Sequence, residues 1–368
     1  MWRSCRSRFC IRQLEDDIAA ASFSQSTRII REQEQYSLGV AVACSEDSGD
    51  VVPRIAIILP AFNEEQAIAA TVEAFYRARP DARIVVVNNN STDRTAVIAR
   101  ETLDRLKANG EVIDEPRQGK GNAVRRAFME CDADVYVMAD ADCTYPASRM
   151  EDMIRPVLEQ RADMVIGDRF SGGDYRRENK RMFHNFGNDL VRSLVNRLFR
   201  AKLRDIMSGY RAFSRTFVKS YPILFEGYQL ETDMTMHALD KRFRILEIPI
   251  EYVDRPPGSF SKLDTFGDGA KVLYAITQIL RYYRPLFFFG CISLIIGMLG
   301  LLAALPVFSD WINYRYIYHV PLAVLAAALE MVAVFSLGIG LVLDSITHQD
   351  KMKFERDILA SSQDRARN

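Results

Sequence analysis

Two aspartates one residue apart are the strongest chemical signal in this sequence. Asp140 and Asp142 follow the apolar run VYVM, so both carboxylates come at the end of a predicted buried strand. Carboxylates paired in this way can bind a hard divalent cation such as Mg²⁺ or Mn²⁺, together with phosphate oxygens and waters. Such triplets also arise by chance on exposed turns, but the buried strand before them and Thr144 and Pro146 after them favour a metal site.

Basic residues that could bind phosphate follow other predicted strands and helices. Arg169 comes after the apolar run MVIG, and Arg181 and Asn185 lie four residues apart, on one face of a predicted helix. Arg255 and Lys262 lie in the Pro- and Gly-rich stretch RPPGSFSKL, where such cations could hold a diphosphate. The alternatives are that the helical pair is simply solvated and that the loop cations are attracted to anionic lipid headgroups.

The elements that must position these residues alternate between apolar strands and amphipathic helices, beginning at residue 51. This alternation predicts an α/β domain with a mostly parallel, Rossmann-like sheet covered on both faces. Ligands of such sheets bind outside the carboxyl ends of the strands, which here are residues 60–63, 88–91, 140–144 and 168–170. We also expect Asn63 to be the N-cap of the first helix.

The C-terminal part of the chain predicts attachment to a membrane. An amphipathic, basic stretch over residues 263–284 is suited to a membrane surface, and residues 285–345 contain two apolar segments long enough to span a bilayer. The loop between them is aromatic and basic residues flank the hairpin, which predicts that the large soluble part and a tail, residues 346–368, face the cytoplasm. Glu330 interrupts the second segment and predicts a helix–helix contact.

Composition narrows the possible partners. The chain balances 48 Lys and Arg against 48 Asp and Glu, so no global charge favours nucleic acid, and we expect none as a partner. The six cysteines form no CxxC pair, which argues against a zinc site and fits a reducing compartment. Residues 1–50 are polar and predict a poorly ordered extension without a signal peptide, whereas residues 51–262 predict the folded domain.

Seven short motifs occur in an order that resembles one enzyme family. They are PAFNEE (60–65), NNNSTDRTA (88–96), GKGNA (119–123), DADCTYP (140–146), GDRF (167–170), SGYRAF (208–213) and RPPGSFSKL (255–263). Together they resemble the family-two inverting glycosyltransferases with the GT-A fold, and within these the polyprenyl-phosphate group of dolichyl-phosphate mannose and glucose synthases. The resemblance covers roughly residues 53–285, and the C-terminal hairpin resembles that of the bacterial members.

The resemblance implies a role for each matching residue. The implied nucleotide-binding residues are Pro60, Phe62, Glu64, Asn89, Lys120, Asp140, Arg255 and Lys262. The implied acceptor-binding residues are Arg169, Arg181, Asn185 and Arg211, with Asp205 and Ser208 shaping the acceptor pocket or merely turning the chain. Asp140 and Asp142 are the implied metal ligands, and Asp142, Arg169 and Arg181 the implied catalytic residues.

Some positions depart from the family pattern. Aspartates are usual where this chain has Asn88 and Asn89, and glutamine is common where Thr144 stands, which leaves the donor base and a third metal ligand open. The asparagines could instead be turn residues. Glu231 and Asp233 resemble an acidic motif of the family, although a surface role competes with that interpretation.

The resemblance therefore implies inverting transfer of a hexose from a nucleotide-diphosphate sugar to a polyprenyl monophosphate. Membrane lipid is a further implied partner, a homo-oligomer is possible, and the expected location is the cytoplasmic face of a bacterial inner membrane. Two alternatives stay open: a family-two transferase that uses another lipid-linked or saccharide acceptor, and a non-catalytic membrane module that only binds nucleotide sugar. The QxxRW motif of processive synthases does not occur in the sequence.

Overall fold

The structure is a computed structural model that describes residues 52–171, 182–225, 229–252 and 268–367. The predicted extension over residues 1–50 and the predicted site residues Arg181, Arg255 and Lys262 lie outside these ranges. The side chain of Asn185 also lies outside the description, although its backbone belongs to a described helix. Residues Pro53–Asn368 group into one compact unit.

Seven strands form one sheet at the centre of this unit. They are β1 (Ile55–Ala61), β2 (Arg83–Asn88), β3 (Gly110–Asp114), β4 (Val135–Met138), β5 (Met164–Asp168), β6 (Arg211–Ser214) and β7 (Ile245–Pro249). Their order across the sheet is β3-β2-β1-β4-β6-β5-β7. Only the two pairings of β6 are antiparallel, so the prediction of a mostly parallel sheet is confirmed.

Helices connect the strands and continue to the C-terminus. They are α1 (Ile68–Ala78), α2 (Thr95–Leu106), α3 (Lys120–Glu130), α4 (Met150–Leu158), α5 (Met182–Phe199), α6 (Arg215–Ser220), α7 (Leu230–Asp240), α8 (Asp268–Tyr283), α9 (Pro285–Tyr314) and α10 (Val320–Arg367). A turn of 3₁₀-helix, Ala147–Arg149, precedes α4. The sequence patterns predicted each of these helices apart from the short α6.

The apolar strands are buried on both faces, because successive side chains point to opposite sides of the sheet. On one side Ile57 and Leu59 of β1 pack with residues of α1, α2 and α4. On the other side Ile58 packs with residues of α3, α6 and α7. This double cover fixes the sheet register and brings the carboxyl ends of β1, β2, β4 and β5 to the same edge.

The first helix begins later than predicted, and Asn63 is not its N-cap. Helix α1 starts at Ile68, and its N-cap residue, Ala67, makes no side-chain capping bond. Asn63 instead adopts a left-handed conformation with φ of 52°. Its Oδ1 accepts the Thr92 backbone N–H at 2.8 Å. Asparagine tolerates this conformation well, so the side chain joins the loop after β1 to the loop after β2 rather than capping a helix.

Helix α7 is a buried connector between the sheet and the C-terminal helices. Met234 packs with the sheet-side core, whereas Met236 packs with Ile279 of α8 and with residues of α5. The Asp233 carboxylate accepts hydrogen bonds from Tyr221 at 2.6 Å and from Tyr283 of α8 at 3.0 Å. One helix therefore contacts both the sheet domain and the element that leads to the apolar hairpin.

Helices α9 and α10 form an antiparallel hairpin whose close packing depends on small residues. Ser293 donates to the Ala333 carbonyl at 2.7 Å, and Ser336 donates to the Phe289 carbonyl at 3.2 Å. A Cβ at Gly300 would lie 2.7 Å from the Glu330 Oε1, so the Glu330 side chain lies against that glycine. The predicted contact between the two helices at Glu330 is thus observed.

The predicted tail is not a separate segment, because α10 continues without a break to Arg367. Beyond the apolar part of the helix, the Lys351 Nζ lies 2.6 Å from the Asp240 Oδ1. The Phe354 ring meets the His237 ring edge-to-face, with 5.7 Å between ring centroids. The C-terminal part of α10 therefore contacts α7 through an ion pair and a ring contact.

The buried His237 predicts a pH dependence of stability. Burial, helped by the nearby Lys241, lowers the pKa of His237 from 6.5 to about 4. Because the unfolded chain then binds more protons, this contribution to stability is complete above pH 6.5 and is lost as the pH falls towards about 4. His237→Phe, which suits the aromatic surroundings, should remove about 3 kcal/mol of the acid sensitivity.

The measurement is the Tm of the detergent-solubilised protein between pH 7 and pH 4. The wild type should lose roughly 5–10 °C more than the variant over this interval. His348→Gln, at an exposed position of α10, is the control and should behave like the wild type. Equal acid sensitivity of His237→Phe and wild type would show that the histidine does not contribute.

Candidate active site

The predicted metal ligands lie at the carboxyl edge of the sheet, in the loop after β4. The Asp142 side chain is buried, and its Oδ1 accepts the Thr144 hydroxyl at 2.6 Å and the Thr144 backbone N–H at 3.2 Å. Thr144 therefore orients the Asp142 carboxylate through two hydrogen bonds within the turn. Asp140 faces a different neighbour, the ammonium group of Lys120.

Lys120 is held between two carboxylates at the start of α3. Its Nζ lies 2.5 Å from the Asp140 Oδ1 and 2.5 Å from the Glu231 Oε1 at the start of α7. Burial lowers the pKa of Lys120, but the charges of Asp140 and Glu231 outweigh this effect and raise the pKa above its ordinary value. The lysine is therefore charged at all physiological pH values and neutralises part of the acidic cluster.

Gly209, in the loop before β6, sets the size of this cluster. A Cβ at this position would lie 2.9 Å from the Asp140 Oδ2 and 3.0 Å from the Lys120 Nζ. The Gly209 backbone N–H is fixed by the Tyr145 hydroxyl, which accepts it at 2.9 Å. A side chain at position 209 would therefore make the ion pair shift, a constraint that the motif SGYRAF did not reveal by itself.

The donor set fits a divalent cation that reaches the site with its nucleotide. Two carboxylates follow β4, one of them already holds a cation, and Gly209 leaves no side chain in the way. In the described ranges no group of three or more His, Cys, Asp or Glu side chains is arranged to hold a metal. Mg²⁺ commonly takes one or two carboxylates and completes its shell with phosphate oxygens and waters, which is what this set permits.

Asn89 organises the loop in front of Lys120. Its side chain is buried, with Nδ2 donating to the Arg117 carbonyl at 2.7 Å and Oδ1 accepting the Gly119 N–H at 2.7 Å. Both ends of the amide are thus used within the protein, which favours the turn-residue interpretation over direct contact with a base. The Asn88 amide also bonds within the protein. Its Nδ2 donates to the Asp114 carboxylate, and its Oδ1 accepts the Ser91 backbone N–H.

The remaining nucleotide-binding candidates after β1 lie at the same edge of the sheet. Pro60 pairs across to Val87 of β2, and Phe62 and Glu64 follow in the connecting loop. The Glu64 backbone N–H donates to the Thr95 hydroxyl at 2.8 Å, so this loop is fixed against the start of α2. The structure brings these residues to the edge that also carries Asp140.

Arg169 is placed at this edge after β5 and is bound on one side by Asp205. Its Nε and Nη2 donate to the two Asp205 carboxylate oxygens at 2.7 and 3.0 Å. The guanidinium also lies 5.7 Å from the centre of the Tyr252 ring. The Tyr252 ring in turn packs edge-to-face on Tyr145, whose hydroxyl accepts the Gly209 N–H beside the Lys120 cluster.

Arg211 does not line a binding surface, in contrast to the prediction of acceptor binding. Its side chain has 0% exposure, and its nitrogens donate to the Ser208 and Ile206 carbonyls and to the Thr235 hydroxyl. Burial lowers the pKa of Arg211, against the raising effect of the nearby acidic residues. We assign it to the structure of the core, because its side chain is fully buried although β6 begins beside the carboxyl end of β4.

Comparisons with known proteins establish the family. A model described as Glycosyl transferase family 2 matches residues 56–221. The chain is 31% identical over 302 residues to Glycosyltransferase AglJ of Haloferax volcanii, covering 81% of this chain and 96% of that protein. The chain therefore belongs to glycosyl transferase family 2 and is a glycosyltransferase, as the seven motifs predicted, and the mixed sheet with its C-terminal helices has the predicted GT-A architecture.

Two further proteins are similar to this chain. The Dolichyl-phosphate hexose transferase of Haloferax volcanii is 29% identical over 225 residues, which cover 61% of this chain and 93% of that protein. Glucosyl-3-phosphoglycerate synthase from Mycobacterium tuberculosis, solved with Mn²⁺, uridine diphosphate and glucosyl-3-phosphoglycerate, has a TM-score of 0.49 and 21% identity, over 62% of this chain and 79% of that chain. The first of these confirms the resemblance to the polyprenyl-phosphate group.

The role of Asn89 predicts local opening of the Lys120 loop when the amide is removed. Asn89→Ala leaves the Gly119 N–H and the Arg117 carbonyl without their partner, at a cost of about 1–3 kcal/mol. Hydrogen exchange of the amides over residues 117–120 should accelerate roughly 10-fold or more. Asn88→Ala, at the neighbouring and more exposed position, is the matched control. Equal protection of this loop in both variants would contradict the assignment.

Proposed function

We propose that this protein transfers a hexose from a nucleotide-diphosphate sugar to a polyprenyl monophosphate, with inversion at the anomeric carbon, at the cytoplasmic face of a membrane. One observation carries the proposal: the acidic site and two lipid-compatible helices belong to one compact unit, joined through α7. The similarity to a relative named as a dolichyl-phosphate hexose transferase supports the same acceptor class.

The donor side of the proposed site is the loop after β4. Asp140 and Asp142 are the proposed ligands of Mg²⁺ or Mn²⁺, and Lys120 lies beside them. The chemistry that a bound divalent ion supplies here is neutralisation of charge on the leaving nucleoside diphosphate. Pro60, Phe62 and the remaining donor-binding candidates Glu64, Asn89, Arg255 and Lys262 stay predictions, with Asn89 acting through the loop that it holds.

The acceptor side needs positioning more than acid–base chemistry. A phosphate monoester has a second pKa near ~6 and is largely dianionic at neutral pH, so it can attack without a general base. The proposed contacts of this phosphate are Arg169, Arg181 and Asn185. Asp205 fixes the Arg169 guanidinium through two hydrogen bonds, so a phosphate would meet a cation whose orientation is already set.

The membrane assignment rests on how α9 and α10 present their apolar side chains. The two candidate spans, Pro285–Tyr314 and Val320–Ala360, each contain a strongly apolar stretch that is almost entirely exposed. A core helix of a soluble protein is mostly buried, so this exposed apolar surface favours contact with lipid. We keep the bacterial inner membrane and a possible homo-oligomer as predictions.

A second candidate acceptor is a saccharide or another lipid-linked sugar. The Low-salt glycan biosynthesis hexosyltransferase Agl6 of Haloferax volcanii is 30% identical over 275 residues, covering 74% of this chain and 63% of that protein. The two candidate acceptors differ in the chemistry that they need. A sugar hydroxyl needs a general base to remove its proton, whereas a phosphate does not. The same assay separates them by the acceptor supplied.

The test is transfer of radiolabelled hexose from a panel of nucleotide sugars by the purified full chain with Mn²⁺ or Mg²⁺. Label should enter the organic phase with polyprenyl monophosphate and not with a polyprenol that lacks the phosphate. Asp142→Asn should lower transfer by a factor of about 10³ or more, since the site then loses a metal ligand. Asp81→Asn, an exposed surface change, is the matched control.

Two results would contradict the proposal. Transfer to saccharide acceptors alone would replace the polyprenyl phosphate by the second candidate. Full activity of Asp142→Asn would remove the metal site from the loop after β4.

A further inference from the structure

The ammonium group of Lys120 contacts a proposed metal ligand and lies where a bound divalent ion would be expected. Asp140, a proposed ligand, has its Oδ1 in contact with the Lys120 Nζ, and the same Nζ contacts Glu231. The three side chains come from α3, the loop after β4 and α7, which lie up to 111 residues apart in the chain. The contact is therefore built by the fold and not by a local turn.

We propose that Lys120 is an exchangeable internal cation: it holds the Asp140 carboxylate in place before a divalent ion binds and passes entirely to Glu231 when the ion takes Asp140. This inference rests on the proposed function, since it assigns a positioning role in the same metal site. No bond is formed or broken, and no proton moves. The Lys120 ammonium exchanges one of its two carboxylate partners for contact with the incoming diphosphate or water.

Glu231 makes this exchange possible. Its side chain is only 7% exposed, so a carboxylate at this position needs a permanent cationic partner, because a buried unpaired charge is strongly destabilising. The backbone of Glu231 is also held in place. The Thr235 hydroxyl donates to the Glu231 carbonyl at 2.9 Å and accepts a hydrogen bond from Arg211 at 2.9 Å. Lys120 can therefore leave Asp140 without becoming an unpaired charge itself.

The packing around the ion pair explains why Asp140 needs a cation in the resting protein. A Cβ at Gly209 would lie 2.9 Å from the Asp140 Oδ2 and 3.0 Å from the Lys120 Nζ, and the Tyr145 hydroxyl accepts the backbone N–H of this glycine. Without Lys120, the neighbouring carboxylates of Asp140 and Glu231 would repel each other. The lysine thus offsets this repulsion in the resting protein and competes with a divalent ion for Asp140, so its removal should strengthen cation binding.

The consequence is a set of opposite effects on Mn²⁺ binding in the absence of nucleotide. Lys120→Met removes the competing cation, so Mn²⁺ should bind about 10-fold more tightly than to the wild type. Glu231→Gln leaves Asp140 as the only carboxylate partner of Lys120, so Mn²⁺ should bind several-fold more weakly. Lys120→Arg keeps the charge and should stay within about 3-fold of the wild type.

The experiment titrates the detergent-solubilised full chain with Mn²⁺ and measures free Mn²⁺ by electron paramagnetic resonance, without sugar or lipid. Lys219→Met, which removes a lysine paired with Asp132 away from the site, is the matched control and should not change the affinity. The Tm with and without Mn²⁺ gives a second readout: Mn²⁺ should raise the Tm of Lys120→Met more than that of the wild type, because it replaces the lost positive charge.

The inference is overturned if Lys120→Met binds Mn²⁺ no more tightly than the wild type, which is the result expected of a lysine that only contacts nucleotide. If Lys120→Met does not fold, Glu231→Gln decides alone, and unchanged Mn²⁺ affinity in that variant overturns the inference. Failure of hexose transfer with the Mn²⁺ effects intact would instead remove the proposed function and leave the cation exchange standing.

Discussion

The placement of one positive charge between the buried carboxylate of Glu231 and the half-buried carboxylate of Asp140 is the constraint on which the rest of the site depends. Helix α3, the loop after β4 and helix α7 bring together Lys120, Asp140 and Glu231. Their contacts form only when these three elements are packed at the sheet. Removing one member of such a group leaves a buried charge without compensation. The same side chains that prepare the site for a divalent ion therefore also enforce the position of α7.

Helix α7 carries this constraint towards the membrane hairpin. Its first turn contributes Glu231 to the site and binds Tyr283 of α8 through Asp233, and its last residue, Asp240, pairs with Lys351 of α10. Burial raises the pKa of Asp233, whereas the hydrogen bonds from Tyr221 and Tyr283 act in the opposite direction. Helix α7 thus contacts both the chemical site and the elements of the hairpin. This arrangement suits an acceptor whose phosphate lies at a lipid surface.

The sequence predicted those features that depend on local pattern. Buried strands and amphipathic helices are visible as apolar periodicity, and the acidic pair at 140 and 142 is visible because it follows such a strand. Asn63 was misassigned because its amide serves a loop 29 residues away instead of its own helix. Arg211 was predicted to bind the acceptor because a motif match does not show that its side chain is buried and hydrogen-bonded to Ser208, Ile206 and Thr235.

The contacts that complete the site could not be predicted, since they join residues far apart in the chain. The partnership of Lys120 with Glu231 spans 111 residues, and that of Arg169 with Asp205 spans 36. Nothing in either local sequence indicates which carboxylate will meet which cation. Gly209 is a similar case. The sequence showed the motif that contains this glycine, but not the Lys120–Asp140 ion pair that lies next to it.

The most direct test of this account is a high-resolution structure of the full chain with Mn²⁺ and a nucleoside diphosphate. The account predicts anomalous scattering from an ion within about 2.5 Å of the Asp140 or Asp142 carboxylate. It also predicts that the Lys120 Nζ keeps its contact with Glu231 and moves beyond hydrogen-bonding distance of the Asp140 Oδ1. An ion bound away from both aspartates, or beside them with the Lys120–Asp140 contact unchanged, would contradict it.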